Sequence, residues 1–122
     1  MTSIISLNQN TDFRRVYHRG KSFVDPVLVS YVMPNKTGCI RVGITTSKKI
    51  GKAVVRNRAR RVIRAAFFGL LPQLSDGYDI VFVARGKTPY RKSTEIEQVM
   101  ARHLVAAGVV LPKGDTDEKV SD

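Results

Sequence analysis

No acidic residue occurs from Pro26 to Ser75, yet those fifty positions hold ten of the chain's 21 Lys and Arg residues. Inside this stretch Val55, Ala59, Val62, Ile63, Ala66, Phe67 and Leu70 recur at helical spacing. At about 100° per residue they form one stripe. Asn57, Arg60, Arg61 and Arg64 fall on the opposite side, with Arg56 and Arg58 on the flanks. A chain with this pattern must bury one side of a helix, Ala53 to Phe68, and leave the other in water with unopposed positive charge. Ordinary solvated helices mix Glu with Lys to gain i, i+4 pairs. This one has neither Asp nor Glu, and its cations are all Arg. A guanidinium fork grips phosphate oxygens in pairs and tolerates partial desolvation better than an ammonium does. Lys48, Lys49 and Lys52 precede the helix, where free backbone N–H groups and the dipole also favour a phosphate. A polyanion relieves the repulsion and releases its own counterions on binding. Nucleic acid is therefore the leading partner class.

The remaining chain alternates helices and strands. Residues 8–19 predict a short helix, capped by Asn8 or Asn10, with Phe13, Val16 and Tyr17 on one face and Gly20 as a stop. Ser22-Phe23-Val24 is a short strand. Asp25-Pro26 separates it from a second, Val27 to Met33, rich in β-branched residues. A turn over Pro34 to Gly38 leads to a third strand from Cys39 to Thr46, whose Ile40, Val42 and Ile44 alternate with Arg41, Gly43 and Thr45. Gly69 and Pro72 are read as ending the basic helix. Tyr78 to Ala84 is nearly all apolar, as an interior strand would be. The last helix begins with a capping box, Thr94 with Glu97, carries Val99, Met100, Leu104 and Ala107, and stops at Gly108. The order is α-β-β-β-α-β-α. It predicts an α/β two-layer sandwich on a four-stranded mixed sheet, with the third and fourth strands parallel across the basic helix.

At 122 residues the chain fits one domain, assigned to 1–111, followed by a polar tail at 112–122 that is expected to be disordered. A net charge of +11 favours nucleic acid over an anionic membrane surface. No apolar run approaches a membrane span, and the N-terminus lacks the basic start of a signal peptide. Cys39 is the only cysteine, so an internal disulfide is excluded, and a buried core position in a reducing cytoplasm is the expectation. No Cys/His cluster has zinc spacing. The carboxylates are scattered, against the clustering that a two-metal nuclease requires. Gly51-Lys52 resembles the end of a P-loop, but Ala53 stands where Ser or Thr belongs and Thr46 where the first Gly belongs. KH and RNP1 signatures are absent. His103 reads as a helix-packing residue, and His18 as solvated or facing RNA.

Ser47-Lys48-Lys49-Ile50-Gly51, Ala53-Val54, Arg56-Asn57-Arg58, Arg60-Arg61 and Arg64 together resemble the signature of the bacterial ribonuclease P protein component. Asp12-Phe13, Val16-Tyr17 and Gly20 match that family's N-terminal pattern, and Tyr78-Asp79-Ile80-Val81 with Ala84-Arg85 matches its fourth strand. The resemblance covers about residues 8–107. It implies a left-handed βαβ crossover, against the right-handed norm. It implies a protein that binds the catalytic RNA subunit, the pair removing the 5′ leader from precursor tRNA, with no catalytic residue in the protein and no obligate protein partner. Mg2+ would be held largely by the RNA and none bound by the protein alone. The RNA subunit would be met by Lys48, Lys49, Lys52, Arg56, Asn57, Arg58, Arg60, Arg61 and Arg64. The single-stranded leader would lie in a cleft at Phe13, Tyr17 and Tyr31, where rings can stack on unpaired nucleotides. Two features depart from the family pattern. Lys52 stands where Asn is common, a poorer cap but a further cation, and no Lys or Arg precedes Phe13. The alternative class, a non-enzymatic RNA-binding protein of the ribosomal or assembly type, accounts for the charge but not for this order of motifs.

Overall fold

The computed structural model describes residues 4–110. Along the chain run β1 (Ile4–Ser6), α1 (Asn10–Arg19), β2 (Lys21–Asp25), β3 (Leu28–Pro34), β4 (Ile40–Thr45), α2 (Ala53–Leu70), β5 (Tyr78–Ala84) and α3 (Ser93–Ala106). The strands form one five-stranded sheet in the order β1-β4-β5-β3-β2. As expected, β4 and β5 are parallel neighbours, with Ile40 opposite Tyr78 and Thr45 opposite Val83, and α2 makes the crossover. β3 pairs antiparallel with both β5 and β2. The apolar β5 is central, as its composition requires. The expected tail at 112–122 lies outside the described residues. Among those described, no helix is long and apolar enough to cross a membrane.

The extra strand is β1. Its three residues lie parallel to β4, and the Leu7 N–H donates to the Val42 carbonyl at 2.8 Å. All three of its side chains are exposed. Its pairing is a backbone event that covers what would otherwise be the open edge of β4.

Strand alternation divides the sheet into two faces. One carries Leu28, Val32, Ile40, Ile80 and Phe82 against Ile63, Phe67, Leu70, Ile96, Met100 and Leu104 of α2 and α3. This is the main core, and each such side chain fully buried contributes about 1.5–3 kcal/mol. Phe67 and Phe82 meet edge to face, with centroids 5.7 Å apart. The other face carries Tyr31, Met33, Val81 and Val83, covered by Leu7, Phe13 and Val16. Here Gly43 of β4 lets α1 approach, because a Cβ would come within 2.6 Å of the Phe13 ring.

Helix ends differ from expectation. α1 is capped by Gln9, and α3 by Lys92, neither through a side-chain hydrogen bond. The Thr94–Glu97 box does not form because Thr94 is already inside the helix. Glu97 instead packs against Gly69, where any Cβ would collide with its carboxylate. Gly69 thus serves helix packing, and α2 continues one residue beyond it to Leu70. His103 is buried, as expected. Its Nδ1 lies 2.8 Å from the Ser30 hydroxyl, and burial lowers its pKa despite nearby Asp25. Cys39 is buried and free.

The second face also holds a buried carboxylate. Asp79 is fully buried. Its oxygens accept from Arg41 Nε and Nη2, both at 2.7 Å, and from Asn35 Nδ2 at 2.7 Å, while Arg15 Nη2 of α1 lies 3.6 Å away. The hydrogen bond to Asp79 holds the Arg41 guanidinium above its ordinary pKa, against the opposing effect of burial. Removing one partner of such a pair leaves an uncompensated charge inside. Arg41→Ala is therefore expected to lower unfolding free energy by about 3–5 kcal/mol. Arg41→Ala combined with Asp79→Ala should recover part of that loss. Urea unfolding of these two variants beside the wild type measures both, and a single-variant loss no larger than the double-variant loss would contradict the pairing.

Candidate nucleic-acid interface

The basic surface is assembled by a short turn and one helix. After β4, Lys48–Ile50 form a single 3-10 turn that ends at Gly51, whose φ of 145° excludes other side chains without strain. Lys52 then caps α2 without a side-chain bond, and the first turn has no acidic residue. Three lysines beside the positive end of a helix dipole oppose folding locally. A bound phosphate turns the same arrangement into a favourable one, since it meets the cations and the free N–H groups together.

Lys48, Lys49, Lys52, Asn57, Arg58, Arg60, Arg61 and Arg64 are all exposed, and Arg56 is half-buried. The opposite stripe, Ala59, Ile63, Ala66, Phe67 and Leu70, is buried as expected. Thr46 holds Arg60 in place, accepting from its Nε at 3.2 Å. Two large apolar residues are exposed on the helix, Val54 at its start and Phe68 four residues after Arg64. A pocket of about 270 Å³, lined by Ile4, Val42, Ile44, Phe68, Arg60 and Arg64 among others, opens beside Phe68. No aromatic was anticipated among these arginines, although the stripe that takes Phe67 inward leaves its neighbour Phe68 facing outward.

The aromatic group lies on the other face of the sheet. Phe13 and Tyr17, one helical turn apart on α1, have centroids 6.5 Å apart. Tyr17 meets Tyr31 of β3 edge to face at 4.9 Å, and its hydroxyl is 2.8 Å from Thr45 Oγ1. The three rings are thus brought together. Their exposure differs: Tyr17 is open to solvent, while Phe13 and Tyr31 are half-buried and pack on the smaller core. The outer side of α1 carries Arg14, Arg15, His18 and Arg19. Cations thus flank the rings although none precedes Phe13.

One cluster has no counterpart among the sequence expectations. The loop after β5 carries Arg85, Lys87, Arg91 and Lys92, all exposed, and its turn packs against α2. Because β4 and β5 are parallel, this loop and the Lys48–Gly51 turn leave the same end of the sheet. Four basic residues within the eight positions from Arg85 to Lys92, with no acid among them, were the available signal. Among the described residues no group of three or more His, Cys, Asp and Glu side chains converges on a metal-sized site.

Replacing both Arg60 and Arg64 with Ala should leave stability within about 0.5 kcal/mol, because both side chains are exposed and neither has a buried partner. RNA affinity should fall. The slope of log affinity against log salt should drop by roughly 0.7–0.9 for each phosphate that is no longer neutralised. Filter binding across a salt series reads this. An unchanged slope would show that these side chains do not meet phosphates.

Comparison with known proteins is consistent along the chain. A family profile described as Ribonuclease P matches residues 1–108. A ribonuclease P protein component from Clostridium botulinum (strain Langeland) is 38% identical over 104 residues, spanning 84% of this chain and 94% of its own. One from Clostridioides difficile (strain 630) is 50% identical over 80 residues, spanning 65% and 70%. The structure of the Staphylococcus aureus RNase P protein superposes with a TM-score of 0.75 at 32% identity, covering 86% of this chain and 96% of that one. With the motif, the fold and the match over residues 1–108 in agreement, the chain belongs to the ribonuclease P protein family.

Proposed function

We propose that this chain is the protein subunit of ribonuclease P. It binds the catalytic RNA through the basic face of α2 and the turn before it, and the 5′ leader of precursor tRNA through the α1 face of the sheet. The observation that carries the reading is the acid-free arginine face of α2, rigidly backed by the core, in a chain that matches the family over residues 1–108.

Cleaving a phosphodiester builds negative charge at phosphorus, and metal ions commonly stabilise it. Those ions are assigned largely to phosphates of the RNA subunit, whose dense negative charge attracts cations. The protein's part is positioning. Its cations neutralise phosphates where two RNA molecules converge, which lowers the repulsion of bringing the precursor to the catalytic RNA. Its rings hold the one segment that distinguishes precursor from product, since mature tRNA has no leader. That difference makes binding selective for precursor without any sequence readout, because every base has a face to stack on.

Protein, catalytic RNA and precursor tRNA are mixed singly and together at modest magnesium. Cleavage is expected only with the RNA subunit present, and improved by the protein. Tyr17 is the cleanest leader test, being the most exposed of the three rings. Tyr17→Ala should raise the Kd for precursor tRNA by roughly tenfold, within the stacking range, and leave that for mature tRNA unchanged. Leader removal by protein alone would overturn the subunit reading. Equal weakening for both tRNAs would overturn the leader site.

A further inference from the structure

Tyr90 is among the most exposed large side chains of the protein, at 68%. Its backbone is nevertheless firmly held. Thr88, two residues earlier, is fully buried, and its hydroxyl donates to the Val27 carbonyl at 2.6 Å. The same oxygen accepts the Arg85 N–H at 2.8 Å. Pro89 is buried too. Three backbone bonds close the turn: Thr88 N–H to Arg85 O, Tyr90 N–H to Lys87 O, and Arg91 N–H to Thr88 O, at 3.0 to 3.2 Å. The turn packs on α2. Among the described residues no other ring pairs with Tyr90. An aromatic side chain is thus fixed at its base and free on its faces.

Its surroundings are positive. Arg85, Lys87, Arg91 and Lys92 are exposed, and the segment from Arg85 to Lys92 contains no acid. Arg91 pairs with Glu95 at 3.1 Å, while Arg85, Lys87 and Lys92 have no carboxylate partner among the described residues. Open space surrounds Gly86, so a bulky ligand can approach the loop backbone. The turn stands at the sheet end from which the Lys48–Gly51 turn also leaves and where Tyr17 meets Thr45 at the end of β4.

A flat hydrophobic face between cations matches the alternation of base and phosphate in an unpaired strand. An acidic peptide would use the cations but not the ring. We propose that Tyr90 is a stacking platform for one unpaired nucleotide, with Arg85, Lys87 and Lys92 holding its flanking phosphates. The inference rests on the RNA-binding role proposed above and adds a site to it. The nucleotide can come from the RNA subunit or from the precursor leader, and the experiment separates these sources.

The chain contains no tryptophan. Tyr90→Trp therefore introduces a single indole at an exposed position, and stacking on a base quenches indole emission. The variant is titrated with the RNA subunit alone, with precursor tRNA, and with mature tRNA, while mobility shift follows complex formation. Quenching that saturates with complex formation is expected in the RNA-subunit arm or the precursor arm, and identifies the source. In that arm Tyr90→Ala should weaken binding by about fivefold or more, and Tyr90→Phe should restore it, since the ring and not the hydroxyl is used. Unchanged emission in complexes that mobility shift shows to have formed overturns the platform and leaves the RNA-binding role standing. So does full affinity of Tyr90→Ala for all three RNAs. Failure of the wild-type protein to bind any of them overturns the RNA-binding role itself, and the platform with it.

Discussion

The buried Asp79 carboxylate is the contact on which the arrangement of the second sheet face depends. It joins the central strand β5 to β4 through Arg41, to the β3–β4 turn through Asn35, and to α1 through Arg15. Buried ion pairs are poor sources of net stability, because desolvation offsets most of the attraction. What this one supplies is position. α1 is only ten residues long and covers the sheet with Phe13, Val16 and little else, so its apolar contact is small. The carboxylate, with Gly43 making room for the Phe13 ring, fixes where α1 sits and therefore where Tyr17 meets Tyr31.

The sheet then works as a partition. Its α2 face is the main core and supplies a stiff backing for the arginines. Its α1 face is a thinner layer in which packing rings remain partly open. A thick core behind the basic helix suits a surface that carries dense like charge, because repulsion among the arginines must be resisted. Half-buried rings would suit the proposed leader, a ligand that is bound only transiently. Both surfaces reach the end of the sheet where β4 and β5 terminate, and the Arg85–Lys92 loop extends the positive surface there.

The basic helix was legible because its stripe, from Ala59 to Leu70, is a local pattern that packing reinforces. The parallel β4–α2–β5 unit followed from element order. The signals that failed were those decided by distant partners. Arg41 and Asp79 are 38 residues apart, and nothing local marks either as half of a buried pair. β1 is three residues long, too short for a period, and pairs through its backbone alone. Thr94 and Glu97 have the spacing of a capping box, yet Glu97 is drawn to the gap at Gly69, and the helix starts before Thr94. The same packing explains why Gly69 is not a helix stop. Tyr17 and Phe13 were paired by spacing, but which ring stays open to solvent depends on Gly43 and Thr45 from another element.

The central claim is that the two faces meet different RNA partners. Site-specific photocrosslinking tests it directly. A photoreactive phenylalanine analogue is placed at the position of Arg61 on α2, or at that of Tyr17 on α1, in the complex of protein, RNA subunit and precursor tRNA. The probe at Arg61 should label the RNA subunit, and the probe at Tyr17 should label the leader. Labelling of the same RNA segment from both positions, or of the leader from Arg61, would contradict it.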